Sequence, residues 1–194
     1  MENISGYIYG VTASQEKLSK DAPIMLRGSI YDSIDQAIKI GYQAIELHLK
    51  NPTEFDQDGL KDYCNKRDFK ICALASGLEF FVNGLSLISE SKEIRDASVV
   101  RLKEYIDFAE KLGCIVIVGC MRGNIPDFDK YVIYEKRLME GIEQITEYAG
   151  NKGVVIVLEA INRYVNNYLT TVQETTDFVN RIGSPILLTK SVVS

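Results

Sequence analysis

Two strings in this sequence carry the side chains best suited to chemistry. The first is Ile45-Glu46-Leu47-His48-Leu49. In an extended chain alternate side chains share a face, so Glu46 and His48 point together, away from Ile45, Leu47 and Leu49. A carboxylate beside an imidazole can orient a substrate or a metal-bound water. His48 is the only histidine, which excludes a multi-histidine metal site built from this chain alone; a lone histidine also serves structurally, held by one hydrogen bond. The second string ends the apolar run 154–158 in Glu159 and continues Ala160-Ile161-Asn162-Arg163-Tyr164. A carboxylate where an apolar strand emerges suits a hard metal ion, or removal of a proton next to a carbonyl. The plain alternative is a solvated acid that opens a turn.

A third candidate is Met121-Arg122-Gly123. A guanidinium beside a flexible glycine can bind a carboxylate or phosphate, or can simply be a surface arginine in a turn. Residues 76–89, which include Phe80, Phe81, Asn83 and Gly84, read as a longer loop. It serves either as a lid or pocket wall over a site, or packs its aromatics on its own base.

Short apolar, β-branched runs at residues 7–11, 44–49, 70–75, 114–118 and 154–158 have to position these groups, with a sixth near 186–189. Helical spacing fills the gaps. Ile34, Ala37 and Ile38 stop at Gly41; Leu60, Tyr63 and Cys64 follow; Leu102, Tyr105, Ile106, Ala109 and Leu112 stop at Gly113; Leu138, Ile142, Ile145 and Ala149 stop at Gly150. Thr171 with Glu174 forms a Thr-x-x-Glu capping box ahead of Phe178, Val179 and Ile182, and Gly183 ends that helix. Strands that are apolar on both faces and alternate with amphipathic helices imply a parallel sheet covered by helices. Neither a GxGxxG nor a GxxxxGK(S/T) string occurs, which disfavours an open nucleotide-binding sheet and favours a barrel. In either architecture the chemistry belongs at the carboxyl ends of the strands.

Composition narrows the classes. A length of 194 residues suits one domain, and 46% hydrophobic residues exclude a disordered chain. With 22 Lys and Arg scattered among 27 Asp and Glu, the net charge of -5 offers no footprint for nucleic acid or an anionic membrane. The longest apolar runs fall far short of the roughly 20 residues of a membrane helix, and the N-terminus lacks the pattern of a signal peptide, so a cytoplasmic location is expected. No two of Cys64, Cys72, Cys114 and Cys120 have zinc-knuckle or redox spacing, which favours reduced, packed thiols.

Several strings together give a resemblance to a family. They are Ala22-Pro23-Ile24 through Gly28, Ala37-Ile38-Lys39-Ile40-Gly41-Tyr42-Gln43-Ala44-Ile45-Glu46-Leu47-His48, Arg122-Gly123, Leu158-Glu159-Ala160-Ile161-Asn162-Arg163-Tyr164, Leu169-Thr170-Thr171 and Gly183-Ser184-Pro185. Over about residues 7–185 the chain resembles the xylose isomerase-like barrel superfamily of sugar phosphate isomerases and epimerases. Its members include ketose 3-epimerases, hydroxypyruvate isomerases and, more distantly, apurinic endonucleases. The resemblance implies an α/β fold of the (β/α)8 TIM-barrel type and a small-molecule sugar substrate. It also implies a divalent metal (Mn, Mg or Co) held by Glu159, and proton transfer through a cis-enediolate of a keto sugar. Glu159 would be both the metal ligand and the catalytic group, while Glu46, His48, Arg122, Asn162 and Arg163 would bind or position the substrate.

The sequence departs from the family pattern at its C-terminal end. Relatives continue into a metal-binding Asp, a His and a second Glu on later strands; here Pro185 is followed by Ile186-Leu187-Leu188-Thr189-Lys190-Ser191, and Lys190 is a cation where a metal ligand is expected. One carboxylate does not make a tight metal site. The expectation is a barrel truncated to about five to six β-α units, with residues 1–194 as one partial domain that has little or no activity by itself. A rival reading is a non-enzymatic half-barrel that needs a second chain, either a homo-oligomer or an edge-strand partner. An apurinic endonuclease is disfavoured by the single histidine and the acidic charge.

Overall fold

The β-branched runs of this chain become strands, and the stretches of helical spacing become the helices that cover one face of them. The computed structural model describes residues 8–19 and 22–191. The strands are β1 (Gly10–Ser14), β2 (Leu26–Arg27), β3 (Ala44–His48), β4 (Lys70–Ala75), β5 (Ile115–Val118), β6 (Ile156–Ala160) and β7 (Leu187–Ser191). The helices are α1 (Ile30–Ile40), α2 (Gln57–Asn65), α3 (Gly77–Asn83), α4 (Lys92–Leu112), α5 (Tyr131–Gly150) and α6 (Val172–Ile182). All pairings are parallel. The sheet order is β2-β1-β3-β4-β5-β6-β7. Apart from the short hook β2, each strand lies beside the next one in the chain. That is barrel winding: a doubly wound sheet reverses direction at a switch point, and this one does not.

Local signals place the helix ends. Gly41, Gly113 and Gly183 cap α1, α4 and α6 in the left-handed conformation, which a glycine adopts without a Cβ penalty. The Thr171–Glu174 capping box is present in both directions. The α5 helix runs through Gly150 and is capped by Asn151, while the left-handed turn falls at Gly153.

Several boundaries differ from the sequence reading for identifiable reasons. In the run read at 7–11, Tyr7 lies outside the described residues and Ile8 and Tyr9 are exposed. The strand instead continues through Thr12, Ala13 and Ser14, because β2 and β3 pair with it on either side. The run read at 154–158 starts later, since the Val154 amide donates to the Ala149 carbonyl at the end of α5. Glu159 is therefore inside β6, paired with Lys190 of β7, rather than just beyond the strand. The stretch read as a loop at 76–89 contains α3, organised around the fully buried Glu79. Its carboxylate accepts from Asn83 at 2.6 Å, Arg101 at 3.0 Å and Tyr105 at 3.3 Å.

The sheet separates two apolar layers. Val11, Ala13, Ile45, Leu47, Leu74, Val116, Val118, Ile156 and Leu158 face the helices and join Ile34, Leu102, Phe108, Ile142 and Phe178 in the main core. Ala73, Ala75, Ile117 and Val157 form a smaller cluster on the other, concave face, with Ile115 and Val155 against it. A register shift at Ile45/Glu46 pairs Ile45 with Ile71 and Glu46 with Ala73, so Cys72 is the extra residue of a β-bulge. Without it, Ile71 and Leu74 could not both face the helices.

Replacing the capping residue, Thr171→Ala, is expected to cost about 1 kcal/mol of stability, measured as a shift of the urea unfolding midpoint at unchanged slope.

Candidate functional site

On the concave face the polar side chains gather toward the carboxyl ends of the strands. Register places Thr12 beside Glu46, His48 beside Ala75, and Glu159 beside Lys190. The Lys190 ammonium reaches across the face to β3, where Nζ donates to Glu46 Oε2 at 2.9 Å and Oε1 at 3.1 Å. The same nitrogen lies 3.2 Å from Glu159 Oε1. His48 Nε2 lies 3.0 Å from Glu46 Oε1; since an ionised carboxylate only accepts, the Nε2–H tautomer is the one that fits. Glu46, His48 and Glu159 are thus brought together by a residue the sequence reading had set aside as a departure. Lys190 was visible by type, but its partner lies 144 residues away.

Burial works against the charges of Glu46 and Lys190, and their partners overcome it. Desolvation raises Glu46, but the His48 hydrogen bond and the Lys190 charge pull it below the ordinary carboxylate value. Desolvation lowers Lys190, but Glu46 and Glu159 hold it above the ordinary lysine value. Both groups are therefore ionised at neutral pH.

Glu159 is shaped by what stands next to it. A Cβ built on Gly119, at the end of β5, would lie 3.0 Å from Glu159 Oε2, so glycine leaves the room that the carboxylate uses. Arg122 acts from behind the strand. It is fully buried, and its guanidinium donates to the Glu159 carbonyl, to the Tyr168 carbonyl at 3.1 and 2.9 Å, and to the Leu169 carbonyl at 3.0 Å. Burial pushes its pKa down to about 10. Its donors are committed to main chain, so Arg122 holds the Glu159 backbone and the loop after β6 instead of presenting a free anion-binding fork. The guanidinium expected to bind substrate lies against three main-chain carbonyls in this fold.

Asn162 and Arg163 lie on an exposed stretch of that loop. The Asn162 Oδ1 accepts the Tyr164 amide at 3.0 Å, and the Arg163 guanidinium sits 5.7 Å from the Tyr164 ring centre. The structure does not bring them to the Glu159 carboxylate through these contacts. Two residues the sequence reading passed over tie the loop down. Asn166 is buried and donates to the Gly123 carbonyl at 3.0 Å, and Asn167 bonds both the amide and the carbonyl of Ile125. The asparagine pair after a strand was the available signal, since such side chains bond main chain in turns.

A divalent ion needs several hard donors converging without a competing cation. Among the described residues no group of three or more His, Cys, Asp or Glu is placed to hold a metal ion. The Lys190 ammonium contacts both carboxylates at the only cluster of candidates the sequence suggested. The residues present do not fit the metal that the family resemblance implies.

The model of the xylose isomerase-like TIM barrel family matches residues 34–187. The chain belongs to that family. It is 24% identical over 159 residues to an L-ribulose 3-epimerase of Methylomonas sp., covering 79% of this chain and 53% of that protein. It is 26% identical over 158 residues to a D-psicose 3-epimerase of Ruminiclostridium cellulolyticum, covering 77% and 52%. The crystal structure of a D-allulose 3-epimerase from Methylomonas sp. in complex with D-allulose superposes with a TM-score of 0.73 at 19% identity, covering 95% of this chain and 62% of that one. That likeness shows the fold. This family member spans about half the length of the curated relatives it matches. No helix among the described residues is long and apolar enough to cross a membrane.

Two outcomes follow for stability. Arg122→Met strands three carbonyls and is expected to cost about 3 kcal/mol or more, with Arg122→Lys recovering only part because an ammonium lacks the planar fork; chemical denaturation reads both. Lys190→Met is expected to cost about 1–3 kcal/mol, the pair being partly exposed. Its pH dependence has a definite sign. The depressed Glu46 contributes stability above its unfolded value that is lost as pH falls through the folded one. The raised Lys190 contributes stability below its unfolded value that is lost as pH rises through the folded one. The difference between wild type and Lys190→Met should therefore be flat between about pH 5 and 10 and shrink at both ends.

Proposed function

We propose that this chain provides the ketose-binding face and one acid/base group of a sugar isomerase or epimerase centre. The observation that carries the reading is the Glu159 carboxylate, set on the concave face near the carboxyl end of β6, with space kept for it by Gly119. The matched relatives are named as ketose 3-epimerases, which supports a keto sugar as the substrate class. In this reading Glu159 takes the proton from the carbon beside the ketose carbonyl, and the electron pair moves into an enediolate. Glu46 and His48 bind sugar hydroxyls, and Asn162 and Arg163 extend the binding surface over the loop after β6.

Epimerisation requires a proton to return on the opposite face of the same carbon, and isomerisation requires its return at the neighbouring carbon. One carboxylate cannot serve both faces. The second carboxylate of the cluster, Glu46, is engaged by His48 and Lys190. Residues 1–194 assayed by themselves are therefore proposed to bind sugar with little or no turnover. The divalent metal of the family resemblance carries no step here, because the donor set does not fit it.

A second reading is favoured by the sheet itself. Among the described residues β2 pairs only with β1 and β7 only with β6, and Leu188 of β7 is half exposed. A further strand-bearing segment, from a second copy or another chain, would complete the sheet at these edges. The cysteines support a reducing, cytoplasmic setting: Cys64, Cys72, Cys114 and Cys120 are all unpaired thiols.

The test uses D-fructose as the probe. NMR titration of the 194-residue polypeptide is expected to show saturable perturbation of residues around Glu159, weakened by Glu159→Gln, with no 3-epimer formed above the protein-free control. Sugar-induced shifts of unchanged size and affinity in Glu159→Gln would contradict the role of Glu159. A profile without any sugar-induced shift would remove the binding face.

A further inference from the structure

We infer that Lys190 is a built-in cation of this centre: its ammonium occupies the place between Glu159 and Glu46 and excludes a divalent ion from both carboxylates. The inference rests on the proposed function only in treating Glu159 as the central group of the site, and it concerns cation binding rather than turnover.

The geometry is specific. An ammonium has three N–H donors and no acceptor. Nζ of Lys190 meets two oxygens of Glu46 at 2.9 and 3.1 Å and one of Glu159 at 3.2 Å, so every donor has a partner inside the protein. Glu46 is engaged further by His48 at 3.0 Å. The carboxylates come from β3 and β6 and the lysine from β7, so the bridge spans the concave face rather than decorating one strand. Thr12, Ala73, Ala75, Ile117 and Val157 share that face and bring no further charge to it.

A divalent ion bound to the same two carboxylates would need their oxygens at about 2.0–2.6 Å, closer than the ammonium holds them. It would also have to sit beside a positive charge tethered by the lysine stem. The ammonium already occupies oxygens of both carboxylates and offsets half of their charge, so a divalent ion there would compete for the same oxygens against a like charge. The lysine therefore does the charge balancing that a metal would otherwise do, offsetting one of the two carboxylates it bridges. Removing the ammonium while keeping the stem, as in Lys190→Met, leaves Glu46 with His48 alone and Glu159 without its cation, which raises their affinity for any small hard cation.

Mn²⁺ is the probe, with binding followed by the loss of its free-ion electron paramagnetic resonance signal on the 194-residue chain. The wild type is expected to show no saturable binding below about 1 mM. Lys190→Met should bind at least tenfold more tightly, and the gain should disappear in Lys190→Met combined with Glu159→Gln. Micromolar binding by the wild type overturns the inference, as does a folded Lys190→Met with no gain. Should Lys190→Met fail to fold, the wild type still decides. Its ¹⁵N ammonium resonance, assigned by its absence in Lys190→Arg, is expected to be protected from solvent exchange. An exchange rate equal to that of surface lysines overturns the proposal. None of these readouts depends on sugar turnover, so their failure is distinguishable from failure of the proposed function.

Discussion

A parallel sheet must bury both of its faces, and among the described residues helices cover one of them. The other, concave face has to be filled by the sheet's own side chains. Ile115, Ile117 and Val157 are large where β5 and β6 lie, and Ala73 and Ala75 are small where β4 lies, giving an apolar floor. The bulge at Cys72 keeps β4 in phase, so that its helix side and its concave side each receive the right residues. Toward the strand ends, where apolar filling stops, the face is closed by charge. Glu46, Lys190 and Glu159 span it, and Glu46 and Lys190 are desolvated enough to need their partners.

Around that bridge the protein spends its rigid contacts on Glu159. Arg122 holds the backbone carbonyl of Glu159 from the helix side, together with the carbonyls of Tyr168 and Leu169. Gly119 leaves the space that the carboxylate fills. Asn166 and Asn167 tie the loop after β6 to the loop after β5. The backbone and the carboxylate of Glu159 are each held from another element, by Arg122 and by Lys190. In this member of the xylose isomerase-like TIM barrel family, the rigid surroundings of Glu159 and the lysine bridge to Glu46 thus form one connected arrangement.

Much of this was legible in the sequence because it is local. The glycine stops after α1, α4 and α6, the Thr171–Glu174 box and the shared face of Glu46 and His48 all follow from spacing alone. Strand ends were less legible. Apolar content marks burial rather than pairing, so polar Thr12 and Ser14 and the strand position of Glu159 escaped it. The α3 helix was hidden because Phe80 and Phe81 read as the aromatics of a loop, while its organiser is the buried carboxylate of Glu79, bonded to the distant Arg101 and Tyr105. Arg122 and Lys190 were visible by type, but what they meet was not. Their partners are main-chain carbonyls and carboxylates brought in by the fold from far along the chain, and no spacing rule encodes such meetings.

The Glu46–Lys190 bridge is tested most directly by a double-mutant cycle of Glu46→Gln and Lys190→Met, read by urea unfolding at neutral pH. A bridge that closes the concave face gives a coupling energy of about 1–2 kcal/mol, the double variant being less destabilised than the sum of the two single ones. Additive losses, with coupling within about 0.3 kcal/mol of zero, would mean that the ammonium and the carboxylate do not meet in solution.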